Sequence, residues 1–224
     1  MRKQKKYIFL VLIMFTIVAM TFIFQRSSYY SKQVLSRNKI PYTKEAFLEV
    51  ISNRDEKMAK HFINIGMDVN HTNGLPLITA SLQDKNSAII ELLLNHKANI
   101  NVESPDSHTP LIYSCIGGFM DNVNILLEYG SDINLSNNEG ITPLMFASIN
   151  GRKEVVTLLL ENEASINIED SYGKTALWYA IEKNEYHITE ILLKNGAKIT
   201  KSISKLALKQ NNNQVLYLLD EYIE

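Results

Sequence analysis

The pattern of apolar and polar residues divides the chain into one long apolar run and a series of short amphipathic segments. The run spans residues 7–24 and contains no charged side chain. From residue 42 onward, apolar residues recur at spacings of three and four, which is typical of helices that bury one face. Polar turns separate these segments. The pattern therefore predicts an all-α fold that is preceded by a single long apolar helix.

The amphipathic segments repeat at a fixed interval. Thr-Pro-Leu stands at residues 109–111 and 142–144, and Thr-Ala-Leu at 175–177, so that both intervals are 33 residues. A related Leu-Pro-Leu stands at 75–77. A threonine hydroxyl caps the first free N–H groups of a helix, and proline fits the first helical position without losing a hydrogen bond. A fixed period of this length indicates a repeat protein in which pairs of helices stack.

The Thr-Pro-Leu-x-x-Ala core at this spacing resembles the ankyrin repeat. The resemblance covers residues 42–224 and implies an ankyrin-repeat solenoid, in which each repeat has a hairpin-like loop and two antiparallel helices. Gly66, Gly130 and Gly196 would end second helices in the left-handed conformation. Lys97 and Glu163 stand where the family has this glycine, so we expect slightly strained loops there. The histidine that usually follows Thr-Pro-Leu is absent.

On this interpretation the chain has a membrane segment, a linker, four repeats and a helical pair at each end. Residues 25–41 are polar and lack helical periodicity, so we expect a tether. The two end pairs lack the Thr-Pro-Leu motif and are expected to cap the stack. The predicted boundaries are 1–6 (basic tail), 7–24 (transmembrane helix), 25–41 (linker), 42–72 (N-terminal pair), 73–105, 106–138, 139–171 and 172–201 (repeats 1 to 4), and 202–224 (C-terminal pair).

The apolar run is long enough to cross a bilayer. A helix over residues 7–24 extends roughly 27 Å, close to the hydrocarbon thickness of about 30 Å. No small-residue cleavage site follows it, which favours an uncleaved signal-anchor over secretion after cleavage. Four basic residues lie within residues 1–6, and the membrane potential opposes their export. We therefore expect a cytoplasmic N-terminus and an extracytoplasmic body; the alternative is a reversed helix with a cytoplasmic body.

Charge is distributed unevenly along the chain. Residues 1–26 contain five of the 23 Lys and Arg residues and none of the 24 Asp and Glu residues. The rest of the chain is therefore mildly acidic, which argues against nucleic-acid binding, since that needs a basic face.

Residues capable of catalysis are scattered along the chain. The single cysteine, Cys115, is expected to be a small packed residue, and Gly117-Gly118 is too short for a phosphate loop. The acidic pairs Asp55-Glu56 and Glu169-Asp170 are expected to be solvated. The five histidines show no zinc-ligand spacing: His61, His71, His96, His108 and His187. We expect no catalytic activity, metal, cofactor or small-molecule substrate; an enzyme with an unrecognised site is the remote alternative.

The resemblance implies protein binding instead, since in ankyrin stacks the loop tips and the exposed side of the first helices line a concave groove. Tyr172, Ile141 and Ile149 are expected to be exposed apolar anchors. We hypothesise a membrane-tethered module that binds a protein partner; the alternative is an immunity or inhibitor protein that blocks a toxic or cell-envelope enzyme. Carried over by position, the groove residues are Pro105, Asp106, His108, Ile116, Asn138, Glu139, Ile141, Ile149, Asn150, Ser171, Tyr172, Lys174, Glu182 and Lys183.

Overall fold

The computed structural model describes residues 2–210 and 212–222, with side chains described from residue 19 onward except for residue 22. These residues form thirteen α-helices and no strand, which confirms the predicted all-α fold. They divide into two compact units, Met1–Val69 and Asn70–Glu224.

The first unit contains three helices, which are α1 (Arg2–Arg37), α2 (Lys44–Ser52) and α3 (Glu56–Ile65). Helices α2 and α3 share an aromatic core, in which the rings of Phe47 and Phe62 stack with their centroids 5.4 Å apart. Tyr42 stacks on the same Phe62 ring at 5.6 Å.

The C-terminal part of α1 packs against α3. Ser31 and Leu35 are buried there, and the Oγ atom of Ser31 lies 3.0 Å from Nδ1 of His61. Residues 25–37 are therefore helical, although this polar stretch shows no helical periodicity, and its role as a tether stays a prediction. The physical reason for the helix is that Ser31 and Leu35 lie four residues apart on one helical face and pack against α3. A search for periodicity within this short polar stretch does not detect such a contact.

The predicted transmembrane segment, residues 7–24, lies within α1. The side chains of residues 7–18 and 22 lie outside the described part of the chain. In the described part, no helix is both long enough and apolar enough to cross a membrane. The transmembrane assignment stays a prediction.

The second unit is a stack of helix pairs. The first helix of each pair packs against the first helix of the next, and the second helices do the same. Leucines at equivalent positions are buried in every pair from α4/α5 to α10/α11, and α12 and α13 pack on α10 and α11. The helices are α4 (His71–Ser81, kinked at its start), α5 (Ser87–Asn95), α6 (Pro110–Gly117), α7 (Met120–Glu128), α8 (Pro143–Ile149), α9 (Lys153–Glu161), α10 (Ala176–Glu182), α11 (Tyr186–Lys194), α12 (Lys201–Gln210) and α13 (Asn213–Glu221).

The threonines of the repeated motif cap the first helices, as predicted. The Oγ1 atoms of Thr109, Thr142 and Thr175 each accept a hydrogen bond from the backbone N–H three residues further on, at 3.2 to 3.3 Å. Each cap satisfies one of the N–H groups that a helix start leaves without a partner.

Asparagines that follow the second helices connect consecutive repeats. The Oδ1 atom of Asn134 accepts a hydrogen bond from the backbone N–H of Ser165 at 2.9 Å, and Asn167 does the same for Lys198. Asn70 and Asn101 make the equivalent bonds in the earlier repeats, at 2.8 and 3.0 Å. These bonds fix the spacing between neighbouring loops on one edge of the stack.

Candidate protein-binding face

Three hairpin loops with the same internal hydrogen bonds precede α6, α8 and α10. They are loop A (104–108), loop B (137–141) and loop C (170–174). In each loop the first residue donates its N–H to the carbonyl of the last, at 2.9 to 3.1 Å. A side-chain oxygen of the first residue accepts the N–H of the last, at 2.9 to 3.1 Å. These first residues are Ser104, Asn137 and Asp170.

The first residues of the loops were not among the predicted site residues. They recur every 33 residues, and all three are types whose side chains close turns on the backbone. Their 33-residue spacing could therefore have identified them as loop-closing residues from the sequence. The spacing is hard to recognise because the residue type changes from Ser to Asn to Asp. By holding the loops closed, these residues determine where the tips project.

The loop tips project into solvent at the positions predicted for loops A to C. The exposed tip residues are Pro105, Asp106, Asn138, Glu139, Ser171 and Tyr172. Ile141, the last residue of loop B, is only 8% exposed, so the prediction that it is a solvent-exposed anchor is wrong. The backbone N–H of Ile141 donates a 2.9 Å hydrogen bond to Asn137 Oδ1. This bond closes loop B and keeps the Ile141 side chain next to the buried Thr142, shielded from water.

The predicted inner-helix positions lie at the C-terminal ends of α6, α8 and α10. Ile116, Ile149, Asn150 and Glu182 are partly exposed, and Lys183 is exposed. Ile149, which was expected to be an exposed apolar anchor, is partly exposed, and its role in binding stays a prediction. We refer to loops A to C and these helix ends, which the ankyrin resemblance assigns to one groove, together as the binding face.

Arg152 adds a link at this surface that the sequence did not predict. Its Nε atom donates a 2.9 Å hydrogen bond to the carbonyl of Ile116 at the end of α6. The guanidinium group thereby satisfies one of the carbonyls that a helix end leaves free.

A cationic and aromatic cluster lies at loop C. The Nζ atom of Lys174 is 3.7 Å from the ring centroid of Trp178, 5.3 Å from that of Tyr179 and 6.0 Å from that of Tyr172. Tyr172 is 69% exposed. Trp178 is only partly buried, and the ammonium group of Lys174 lies over its ring in a cation–π contact.

The carboxylate of Asp170 accepts hydrogen bonds from three residues of this cluster. It is 7% exposed, so the prediction that the pair Glu169-Asp170 is solvated holds only for Glu169. Its Oδ1 atom accepts the N–H groups of Tyr172 and Lys174, at 2.8 and 2.9 Å. Its Oδ2 atom accepts the hydroxyl of Tyr179 at 2.5 Å. Burial, and then the hydrogen bond and negative charge of Asp170, raise the pKa of Tyr179.

A cleft of about 530 Å³ lies between loops A and B. His108 and Phe146 form part of its wall, with their rings edge to face and 5.0 Å between centroids. The other lining residues are Pro105, Asp106, Asn137, Asn138, Glu139 and Ile141. No lysine or arginine lines the described cleft, which we call cleft AB.

A family model described as ankyrin repeats in three copies matches residues 47–137 and 123–203. The chain belongs to the ankyrin-repeat family. Its ankyrin repeats account for the 33-residue period, the threonine caps and the paired helices. No curated protein matches the chain.

Two observations in the described residues bear on the chemistry of the ankyrin stack. Cys115 is fully buried, and burial raises the pKa of its thiol, so the thiolate form needed of a nucleophile is disfavoured. No group of three or more His, Cys, Asp or Glu side chains in the described residues is arranged to hold a metal ion. What the binding face offers is shape, charge and aromatic surface.

Proposed function

We propose that this protein binds a protein partner through the binding face of its ankyrin repeats. The observation that carries the proposal is the cluster at loop C. An aromatic side chain exposed to the extent of Tyr172 loses contact with water when a partner covers it, which favours binding. Aromatic residues are enriched among the few residues that dominate interface energies.

The charge of Lys174 is also available to a partner. Its ammonium group rests on the Trp178 ring, and the described residues contain no carboxylate that forms an ion pair with it. The hydrogen bonds from loop C to Asp170 hold the backbone of both Tyr172 and Lys174. Such preorganisation lowers the entropy lost on binding.

The proposed activity is binding without catalysis. Ankyrin repeats support a role as an interaction module, and the buried Cys115 is a poor nucleophile because its pKa is raised. Loop tips positioned by a rigid scaffold are instead a common arrangement for recognition.

The proposal further places residues 7–24 in a membrane, with the N-terminus in the cytoplasm and the ankyrin repeats outside it. The support is the uncharged run itself and the exposure of three apolar side chains near its end, those of Met20, Ile23 and Phe24. Exposed apolar surface of this kind is costly in water and is covered by lipid in a bilayer.

Protease treatment of intact source cells tests this orientation. Protease added outside should digest the ankyrin repeats, whereas repeats on the cytoplasmic side would survive until the cells are lysed. Extraction of membranes at alkaline pH tests the anchor, because a cleaved and secreted form would be found in the soluble fraction.

The binding face is tested by capture from the envelope fraction of the source cell, with the detergent-solubilised full chain as bait. The site variant is Tyr172→Ala with Lys174→Glu. The control variant, Tyr217→Ala with Lys205→Glu, makes the same chemical change at exposed residues of α12 and α13. A protein retained by the wild type and the control, but not by the site variant, supports the proposal. Equal retention by all three baits would contradict it.

A further inference from the structure

We propose that cleft AB receives an arginine side chain of the protein partner. This inference rests on the proposed function and names the chemistry that the binding face recognises at one point. It depends on the shape of the cleft, on its aromatic wall and on the charges at its rim.

The shape suits one long side chain. A volume of about 530 Å³ exceeds that of a single water, about 30 Å³ in the liquid, by more than tenfold. The cleft lies between two loops and opens to solvent, so a side chain that projects from a partner can enter it. Phe146, which is partly exposed, provides apolar surface in the wall of the cleft for the methylene groups of such a side chain.

The charges select a cation. Asp106 comes from loop A and Glu139 from loop B, and both are exposed. Neither carboxylate forms an ion pair within the described part of the chain. Both carboxylates would repel an acidic side chain. A purely apolar side chain would displace water that hydrates the carboxylates and would provide no hydrogen bond or charge in its place. A cationic side chain satisfies both groups.

The aromatic wall favours arginine over lysine. The imidazole of His108 meets Phe146 edge to face at 5.0 Å and Tyr113 edge to face at 5.3 Å. Its Nε2 atom lies 3.4 Å from Nδ2 of Asn137, which orients the ring, and both His108 and Phe146 remain partly exposed. A planar guanidinium group stacks on aromatic rings and binds carboxylates through several N–H groups at once, whereas an ammonium group is a compact point charge.

The test is a titration of the isotope-labelled full chain in detergent micelles, followed by amide NMR shifts. The probe is the blocked tripeptide acetyl-Gly-Arg-Gly-amide. The matched probe carries citrulline, which has nearly the same shape without the charge. We expect saturating shifts for amides of loops A and B with the arginine probe, and binding at least fivefold weaker with citrulline.

Two protein variants locate the site. Asp106→Asn with Glu139→Gln removes both rim charges and should weaken the arginine probe at least fivefold. Glu128→Gln with Glu161→Gln removes two exposed charges at the ends of α7 and α9 and should leave the affinity unchanged. Amide spectra that are unchanged away from the substituted residues show that each variant is folded.

Three results would overturn the inference: shifts that do not saturate, equal affinity for the citrulline probe, or equal affinity in the Asp106→Asn, Glu139→Gln variant.

The titration does not depend on the capture experiment. Arginine binding in cleft AB without any captured partner would count against the proposed function alone. Capture that depends on Tyr172 and Lys174, with no response to the arginine probe, would count against the cleft assignment alone.

Discussion

The hydroxyl group of Tyr179 donates a 2.5 Å hydrogen bond to Oδ2 of Asp170, nine residues earlier in the chain. The same carboxylate closes loop C through its other oxygen, so it connects the loop to α10. Loop A has a weaker version of this arrangement, in which the hydroxyl of Tyr113 donates to Oγ of Ser104 at 3.0 Å. The equivalent residue for loop B is Phe146, which has no hydroxyl.

Removing the Tyr179 hydroxyl should therefore destabilise the fold. Tyr179→Phe is expected to lower the free energy of unfolding by about 2 kcal/mol, since hydrogen bonds to charged groups contribute more than neutral ones. Urea denaturation followed by circular dichroism measures the change. Tyr217→Phe is the control, because Tyr217 is 70% exposed and should lose little. Equal midpoints for the two variants would show that the bond to Asp170 contributes nothing.

The burial of Tyr179 and its bond to Asp170 make the stability sensitive to alkaline pH. The pKa of Tyr179 is raised above its ordinary value of 10.0, first by burial and then by Asp170. The folded state therefore holds this proton more tightly than the unfolded state. Its contribution is complete below the unfolded pKa, near pH 10, and is lost as the pH rises toward the folded pKa.

The expected signature is a difference between wild type and Tyr179→Phe that changes with pH. Their difference in unfolding free energy should be constant at neutral and mildly alkaline pH. Above about pH 10 it should shrink, by at most about 1.4 kcal/mol per pH unit. Urea titrations at a series of pH values measure it, and a difference that stays constant to about pH 11 would contradict the assignment.

The repeat architecture follows from local signals in the sequence. Thr109, Thr142 and Thr175 each mark a helix start, because the cap lies within three residues of the groups it satisfies. The left-handed ends of the second helices are also predictable. Lys97 and Glu163 keep positive φ values of 66° and 63°, beside 85° at Gly130, so the turn is maintained without glycine.

The differences from the prediction arise where a distant partner decides the environment. Asp170 was expected in solvent, as most carboxylates are, but Tyr179 lies nine residues away and buries it. Ser31 and Leu35 are helical because α3 packs on them. Ile141 is shielded by the closure of loop B. The contacts of Asp170, Ser31 and Leu35 join residues that lie more than one helical turn apart, so a search for helical periodicity does not detect them.

The asparagine bonds between repeats should contribute measurably to stability. Asn134→Ala removes the acceptor for the Ser165 N–H, and we expect a loss of about 1 kcal/mol. Asn138→Ala, at the exposed tip of loop B, is the matched control and should change the free energy of unfolding by less than half of that. Thermal and urea unfolding provide the comparison. Similar losses in both variants would mean that the loss does not come from this bond.

Backbone strain at Lys97 predicts a stabilising substitution. A side chain in the left-handed conformation costs about 1–2 kcal/mol, and glycine removes this cost while adding about 0.4–1 kcal/mol of unfolded-chain entropy. Lys97→Gly should therefore raise the free energy of unfolding by roughly 0.5 kcal/mol. The reverse change, Gly130→Lys, should lower it by a similar amount, because a Cβ atom there meets nothing within 4 Å. Changes of the same sign in both variants would contradict this account.

The buried thiol of Cys115 provides a probe of how the stack opens. Burial raises its pKa, and the side chain has no exposed surface, so a disulfide reagent can reach a reactive thiolate only when α6 separates from its neighbours. The folded full chain should show almost no reaction at neutral pH, and the denatured chain should release one equivalent, since the sequence has one cysteine. Cys115→Ala corrects for background.

In native conditions the rate of thiol reaction should rise in Asn134→Ala relative to Asn138→Ala, because the broken bond between repeats makes opening more frequent. A native reaction as fast as that of the denatured chain would show that α6 does not bury this residue in solution.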